Sequence, residues 1–167
     1  MKIFFDMDGV LSDFDGGIRN LCGLDPEPQG KSTPAAMDRM FEGMRQVPHF
    51  YGRLEPLPGA VELFTEIWTQ FGNNCQILTG IPKPSRGIVG AEEAKREWVS
   101  RFISLDVVVN VVLRKEKPQF CTGPDCILID DFVAYIREWE KTGGSGILHR
   151  SVDETRKQLY KFLENRN

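Results

Sequence analysis

Residues 4–13 read FFDMDGVLSD. The apolar run Ile3-Phe4-Phe5 has the character of a strand buried on both faces, and it runs into two carboxylates, Asp6 and Asp8, followed by Gly9. If residues 2–6 form that strand, period-2 alternation turns Asp6 and Asp8 the same way at its end. Unpaired charge is costly to bury, so two neighbouring carboxylates there require a cation or a shared proton. The spacing predicts a site.

Outward from this stretch, four more short apolar runs predict strands: 76–79, 109–113, 126–130 and 146–149. Their flanks are not polar, as suits strands covered on both faces of a parallel sheet. Helical periodicity fills the gaps. Val61, Phe64, Trp68 and Phe71 recur at helical spacing after Pro58-Gly59, with Gly72 as the stop. Ala94, Trp98 and Phe102 mark a second helix, and Val133, Ile136 and Trp139 a third, closed by Gly143-Gly144. Ser151 and Glu154 form a capping box that opens a last helix, with Leu159, Phe162 and Leu163 inward. This alternation predicts an α/β fold with a doubly wound, Rossmann-like, parallel five-stranded sheet.

One segment interrupts it. About fifty residues without a second strand separate the first strand from Pro58. Residues 14–23 predict a short helix and residues 25–31 a Pro/Gly-rich linker. Thr33-Pro34 reads as N-cap and first residue of a helix striped by Met37, Met40, Phe41 and Met44. The organisation predicted is a core of 1–13 and 57–167 with a small helical cap, 14–56, inserted after the acidic loop. The methionine stripe serves packing, ligand contact or both.

With 167 residues, 41% hydrophobic and 27% charged, the chain has the composition of a soluble globular domain. A net charge of -3 argues against stable nucleic-acid binding, which favours a basic face, but admits a small anionic substrate held by a few cations. No apolar run approaches a membrane span, and Met1-Lys2-Ile3 leads straight into the acidic motif, so no membrane association, no signal peptide and a cytoplasmic location are expected. Cys22, Cys75, Cys121 and Cys126 read as free thiols, because Cys121 and Cys126 lack the second pair or nearby His of a zinc set. His49 and His149 stand alone in sequence.

In open α/β sheets ligands bind beyond the carboxyl ends of the strands. The predicted strands deliver Asp6 and Asp8, then Thr79 and Gly80, then the basic run with Arg114, Lys115 and Lys117, then Asp130 and Asp131. A few carboxylates suit Mg²⁺, whereas zinc would want His or Cys. A phosphate on that metal would use a hydroxyl, loop amides and a lysine. One carboxylate is placed to attack phosphorus, and its neighbour two residues on to protonate the leaving oxygen. Each residue also has a plainer reading. Asp130-Asp131 suits a helix N-cap, Thr79 a strand, and the lysines a solvated charge run.

The motif DMDGV resembles the first motif of the haloacid dehalogenase (HAD) superfamily, ILTG its second and LIDD its fourth, with Lys117 the candidate for the third. The four come in the family's order over nearly the whole chain. The resemblance implies a Mg²⁺-dependent phosphatase in which Asp6 is the nucleophile, Asp8 the general acid and base, Thr79 a phosphoryl ligand and Lys117 the charge that holds nucleophile and phosphate together. Asp8 would also lend a backbone carbonyl to the metal, and Asp130 and Asp131 would complete its ligands.

A narrower likeness, in FYGRLEPLPGA, KREWV, ILIDD and GGSGILH, is to the 5'(3')-deoxyribonucleotidases. It implies a nucleoside monophosphate as substrate, Lys95 as a phosphate ligand beside Thr79, Gly80 and Lys117, Phe50 and Tyr51 flanking the base, and a homodimer. The residues alone leave open that Lys95 faces solvent and that Phe50 and Tyr51 belong to the core. The chain departs from that subfamily by having Thr79-Gly80 for Thr-Ser, a shorter cap and a different loop over 81–90, which bears on specificity. Sugar phosphates and nucleic-acid 3'-phosphate ends are the alternative substrates. A receiver-like phospho-Asp domain is disfavoured by strand order, since here the double acid comes on the fourth strand.

Overall fold

The computed structural model describes residues 1–28 and 30–164; Gln29, inside the expected linker, and residues 165–167 lie outside the described residues. Strands β1 (Lys2–Phe5), β2 (Cys75–Ile81), β3 (Val109–Leu113), β4 (Cys126–Asp130) and β5 (Ser145–Leu148) form one parallel sheet in the order β3-β2-β1-β4-β5. Helices α1 (Phe14–Cys22), α2 (Pro34–Arg45), α3 (Ala60–Phe71), α4 (Ala91–Phe102), α5 (Val133–Lys141) and α6 (Val152–Glu164) occupy the connections. The doubly wound α/β architecture is as the sequence pattern predicts. Among the described residues no helix is long and apolar enough to cross a membrane.

Alternation along the strands divides the side chains between two apolar layers. Ile3, Phe5, Ile77, Ile127, Ile129 and Ile147 pack with residues of α3, α4 and α6. Phe4, Leu78 and Leu128 face the other way, onto Ile136 and Trp139 of α5. On α3 the deepest residues are Ala60, Leu63, Phe64 and Ile67, while Val61, Trp68 and Phe71 are only partly buried. The inward stripe is thus rotated from the one expected, because adjacent stripes on a helix share Phe64 and the large aromatics sit at the margin.

Local chemistry explains the helix starts. Thr33 Oγ1 accepts from Ala36 N at 3.2 Å, with Pro34 as first residue of α2, and Asp13 Oδ1 accepts from Gly16 N at 2.8 Å at the start of α1. Ser151 Oγ accepts from Glu154 N at 3.2 Å before α6.

The segment between residues 14 and 56 leaves and re-enters at one place. Asp13 N donates to Glu55 O and Leu57 N to Leu11 O, both at 2.8 Å. The segment does not keep an apolar core of its own. Ile18, Phe41, Met44, Phe50, Tyr51 and Leu54 join the same cluster as Phe5 and Trp98, and Trp98 Nε1 donates to Leu54 O at 2.8 Å. The loop at 81–90 reaches α2 through the ion pair of Arg86 Nη1 with Asp38 Oδ1 at 2.5 Å and through Arg45 Nη1, which donates to Arg86 O at 2.9 Å.

Candidate active site

The sheet reverses its winding at β1 and β4, and the carboxyl ends of these neighbours carry Asp6 and Asp130. Strand β1 ends at Phe5, one residue short of the expected 2–6, although Asp6 N still donates to Ile129 O at 2.8 Å. The chain then curls round the Met7 carbonyl, which accepts from Leu11 N at 2.8 Å and Ser12 N at 2.9 Å. Gly9 makes this curl possible with φ +76 and with no side chain, since a Cβ there would lie 2.4 Å from Asp131 Oδ2. The curl, not strand alternation, brings both Asp6 and Asp8 to the cleft. Strand alternation no longer applies past Phe5, and the two carboxylates find different partners.

Asp6 belongs to a cluster of three acids. Oxygens of Asp6, Asp130 and Asp131 lie within 4.8 Å of one another. Lys117, from the 3₁₀ segment Arg114–Phe120, is 2% exposed and projects into them, its Nζ 2.7 Å from Asp130 Oδ2 and 3.0 Å from Asp6 Oδ1. The second distance is that of an ion pair but falls outside hydrogen-bonding angles, so Asp6 Oδ1 is a buried oxygen with no hydrogen-bond donor. Asp130 Oδ1 accepts from Phe132 N at 2.9 Å.

Asp8 lies apart from the cluster. Its Oδ2 is 2.7 Å from Lys95 Nζ, which also donates to Thr79 Oγ1 at 2.9 Å. Lys95 and Thr79 are both 0% exposed, and the ammonium stands 4.3 Å from the centre of the Tyr51 ring. Lys95 is therefore neither solvent-facing nor on the cleft wall. It sits behind Asp8 and joins the ends of β1 and β2.

Burial and mutual repulsion shift these groups. Asp131 is pushed up to about 8 by burial first and then by Asp6, Asp130 and Asp8. Asp130 is raised to about 6 by burial and Asp6, with Lys117 opposing. For Lys117 burial favours the neutral form, but Asp6 and Asp130 outweigh it and hold the ammonium above its ordinary value. Lys95 is shifted down by burial, partly offset by Asp8 and Asp6.

A cleft of about 1460 Å³ opens over this centre. Asp6, Asp8, Gly9, Gly80, Lys117 and Asp131 line its floor, whereas Thr79, Lys95 and Asp130 stand behind it. From the inserted segment Met37, Met40 and Phe41 reach the opposite wall. Phe50 and Tyr51, expected to flank a base, do not line the cleft. They are 3% and 2% exposed and pack edge-on against each other, because the return of the chain onto α4 draws them into the core. The aromatic residues that do line it include Phe14, Phe132 and Tyr135. Arg114 lines it too, and the sequence offered it only as one cation among several in RKEK. Phe132 was detectable as the residue directly after the double acid.

The donor set fits a hard divalent cation. Three clustered carboxylates with an orphaned buried oxygen ask for positive charge that Lys117 alone does not supply, and the oxygens suit Mg²⁺. The same residues would offer a phosphoryl group one nucleophilic oxygen, in Asp6, and one proton carrier, in Asp8.

No family model matches the chain. The human mitochondrial 5'(3')-deoxyribonucleotidase is 27% identical over 148 residues, which cover 78% of this chain and 62% of that protein. The chain thus spans about three fifths of the length of the curated relatives it matches. A hydrolase from Pseudomonas syringae superposes with a TM-score of 0.54 at 15% identity, covering 98% of both chains. A HAD family hydrolase from Deinococcus radiodurans R1, with bound phosphate and sodium, gives 0.51 at 13% identity over 98% of this chain and 95% of that one. These two hydrolase structures share the fold of this chain.

Proposed function

We propose that this chain is a Mg²⁺-dependent phosphomonoester hydrolase that works through an aspartyl-phosphate on Asp6, with nucleoside 5'- or 3'-monophosphates as substrates. The observation that carries the proposal is the meeting of Asp6, Asp130 and Asp131 around Lys117 at the sheet's switch point, with Asp8 held separately beside them. The nucleotide part draws on the likeness to a deoxyribonucleotidase and on the aromatic residues Phe14, Phe132 and Tyr135 along the cleft.

Asp6, Asp130 and Asp131 would hold the cation, with the Asp8 backbone carbonyl added as the resemblance implies. Bound there, Mg²⁺ supplies charge neutralisation at the phosphoryl oxygens. The chain's own residues do the rest. An Asp6 oxygen forms the bond to phosphorus as the ester P–O bond breaks, and Asp8 gives its proton to the departing alkoxide. Asp8 then takes a proton from water as the water oxygen bonds to phosphorus, which frees inorganic phosphate and restores the Asp6 carboxylate. Lys117 keeps its charge throughout, since Asp6 and Asp130 both favour the ammonium. Lys95 fixes the direction of Asp8 and keeps the Thr79 hydroxyl at the end of β2.

A screen of phosphate release with Mg²⁺ tests this, using deoxy- and ribonucleoside 5'- and 3'-monophosphates, sugar phosphates and p-nitrophenyl phosphate. Nucleotides are expected to exceed sugar phosphates in kcat/KM by about tenfold or more, a gap of roughly 1.4 kcal/mol in transition-state binding. Equal, feeble rates on all physiological esters refute the nucleotidase part. No Mg²⁺-dependent release from any of them refutes the phosphatase.

The raised Asp131 and Asp130 carboxyls set a pH dependence for metal binding. A carboxyl whose folded-state value lies above its unfolded value binds an extra proton in the folded state, so metal-free stability falls as pH rises from about 4 to about 8 through Asp131. The cation replaces that proton. The rise in Tm on adding Mg²⁺ is therefore expected to be larger at about pH 8.5 than at about pH 6. Calorimetric melts at both values check it, and an equal or larger rise at the lower pH contradicts the assignment of these carboxylates as metal ligands.

A further inference from the structure

Gly80 occupies the carboxyl end of β2 on the floor of the cleft. A Cβ built there would lie 2.5 Å from Arg114 Cγ, 3.5 Å from its Nε and 3.6 Å from its Cα. The pairing of Gly80 with Val112 and Ile81 with Leu113 lays the start of the following 3₁₀ segment alongside, so the Arg114 stem fills the volume a side chain at 80 would take. Gly80 is thus a seat for an arginine as well as an open stretch of backbone.

Arg114 is exposed within the cleft, and among the described residues its guanidinium makes no hydrogen bond or ion pair. The two lysines of the site are already engaged, Lys117 with Asp6 and Asp130, and Lys95 with Asp8 and Thr79. The Thr79 hydroxyl is fully buried, accepts from Lys95 and does not line the cleft, and Gly80 has no side chain, so no side chain at the end of β2 reaches the cleft surface. Arginine remains charged at all relevant pH and carries five donors in a planar fork that matches phosphate oxygens. Despite the cost of desolvation, Tyr135, Asp8, Tyr51 and Asp6 lie close enough to strengthen its hold on its proton. A dianion entering beside Asp6 therefore meets, in Arg114, a cation with donors to spare.

We propose that Arg114, seated on Gly80, grips the non-bridging oxygens of the phosphoryl group, and that Gly80 is required because any side chain there dislodges the guanidinium. The inference deepens the phosphatase reading and rests on it. It makes Gly80 and Arg114 an interdependent pair, so their substitutions are not additive.

Calorimetric titration of inorganic phosphate into the protein with Mg²⁺ tests the pair, using wild type, Arg114→Met, Arg114→Ala, Gly80→Ser and Gly80→Ser/Arg114→Ala. Arg114→Met is expected to weaken phosphate binding by about tenfold or more, the loss of a charge-assisted contact. Gly80→Ser should weaken it comparably, and the double variant should bind no more weakly than Arg114→Ala alone. Thermal melts within roughly 2 °C of wild type show that binding, not folding, has changed. Wild-type binding by Arg114→Met, strictly additive losses in the double variant, or no phosphate binding by the wild type overturns the proposal. If the binding pattern holds while no variant hydrolyses any ester, the hydrolase reading fails and the anion site stands.

Discussion

Asp6→Asn is expected to reduce Mg²⁺-dependent hydrolysis of p-nitrophenyl phosphate by roughly 10⁴-fold or more, the scale seen when a covalent nucleophile is removed. The amide keeps the shape of the side chain but cannot form the acyl phosphate. The loss should fall on kcat rather than KM, and a leaving group that needs no protonation isolates the Asp6 step from Asp8. Stability should move little or upward. Asp6 is the largest charge contribution raising both Asp130 and Asp131, so its removal relieves repulsion while Lys117 keeps Asp130. Activity and stability thereby separate: an inactive variant that melts at or above the wild-type Tm is the expected result. A variant within about tenfold of wild-type kcat rules out the aspartyl-phosphate route.

Lys117→Met is expected to damage both. The ammonium is 2% exposed, and its two carboxylate partners lie at 2.7 and 3.0 Å. Removing one partner of a buried ion pair costs about 3–5 kcal/mol, because the remaining charges stay buried and uncompensated. In a domain of this size that lowers Tm by roughly 6–20 °C. Methionine is close in volume, so the effect is electrostatic rather than a cavity. Two conditions should restore part of the loss: added Mg²⁺, which supplies the missing charge, and a lower pH, at which the raised Asp130 and Asp131 carboxyls are protonated. Melts with and without Mg²⁺ at about pH 6 and about pH 8 give the measurement. A Tm unchanged to within about 2 °C in every condition contradicts the placement of Lys117 among the acids.

The contrast between these variants rests on a division that runs through the site. Lys117 pairs with Asp6 and Asp130 and Lys95 with Asp8, so Asp6 and Asp8 each have their own buried cation. Of the two lysines, Lys117 was assigned through motif order. Lys95 was open between phosphate ligand and solvent, because helical periodicity beside Ala94 and Trp98 says nothing about what meets the end of a long side chain. Its partner Asp8 is 87 positions away, and their bond exists only once α4 packs beside the end of β1.

What the residues determined by themselves was local and repetitive. Apolar runs specified five strands to within a residue or two, and β3 and β4 match at both ends. Thr33-Pro34 and Ser151 marked helix starts because a cap is satisfied within three residues. Asp6, Asp8, Asp130 and Asp131 were legible because carboxylates directly after buried strands have no cheap structural explanation. The tertiary structure decided the rest. It paired Asp8 with Lys95, drew Phe50 and Tyr51 into the core, rotated the inward face of α3 and seated Arg114 on Gly80. Each of these depends on which distant group fills a given volume or neutralises a given charge. The stretch at 4–13 announced the charges; only the packed sheet and its 3₁₀ and helical neighbours decided which cation each would meet.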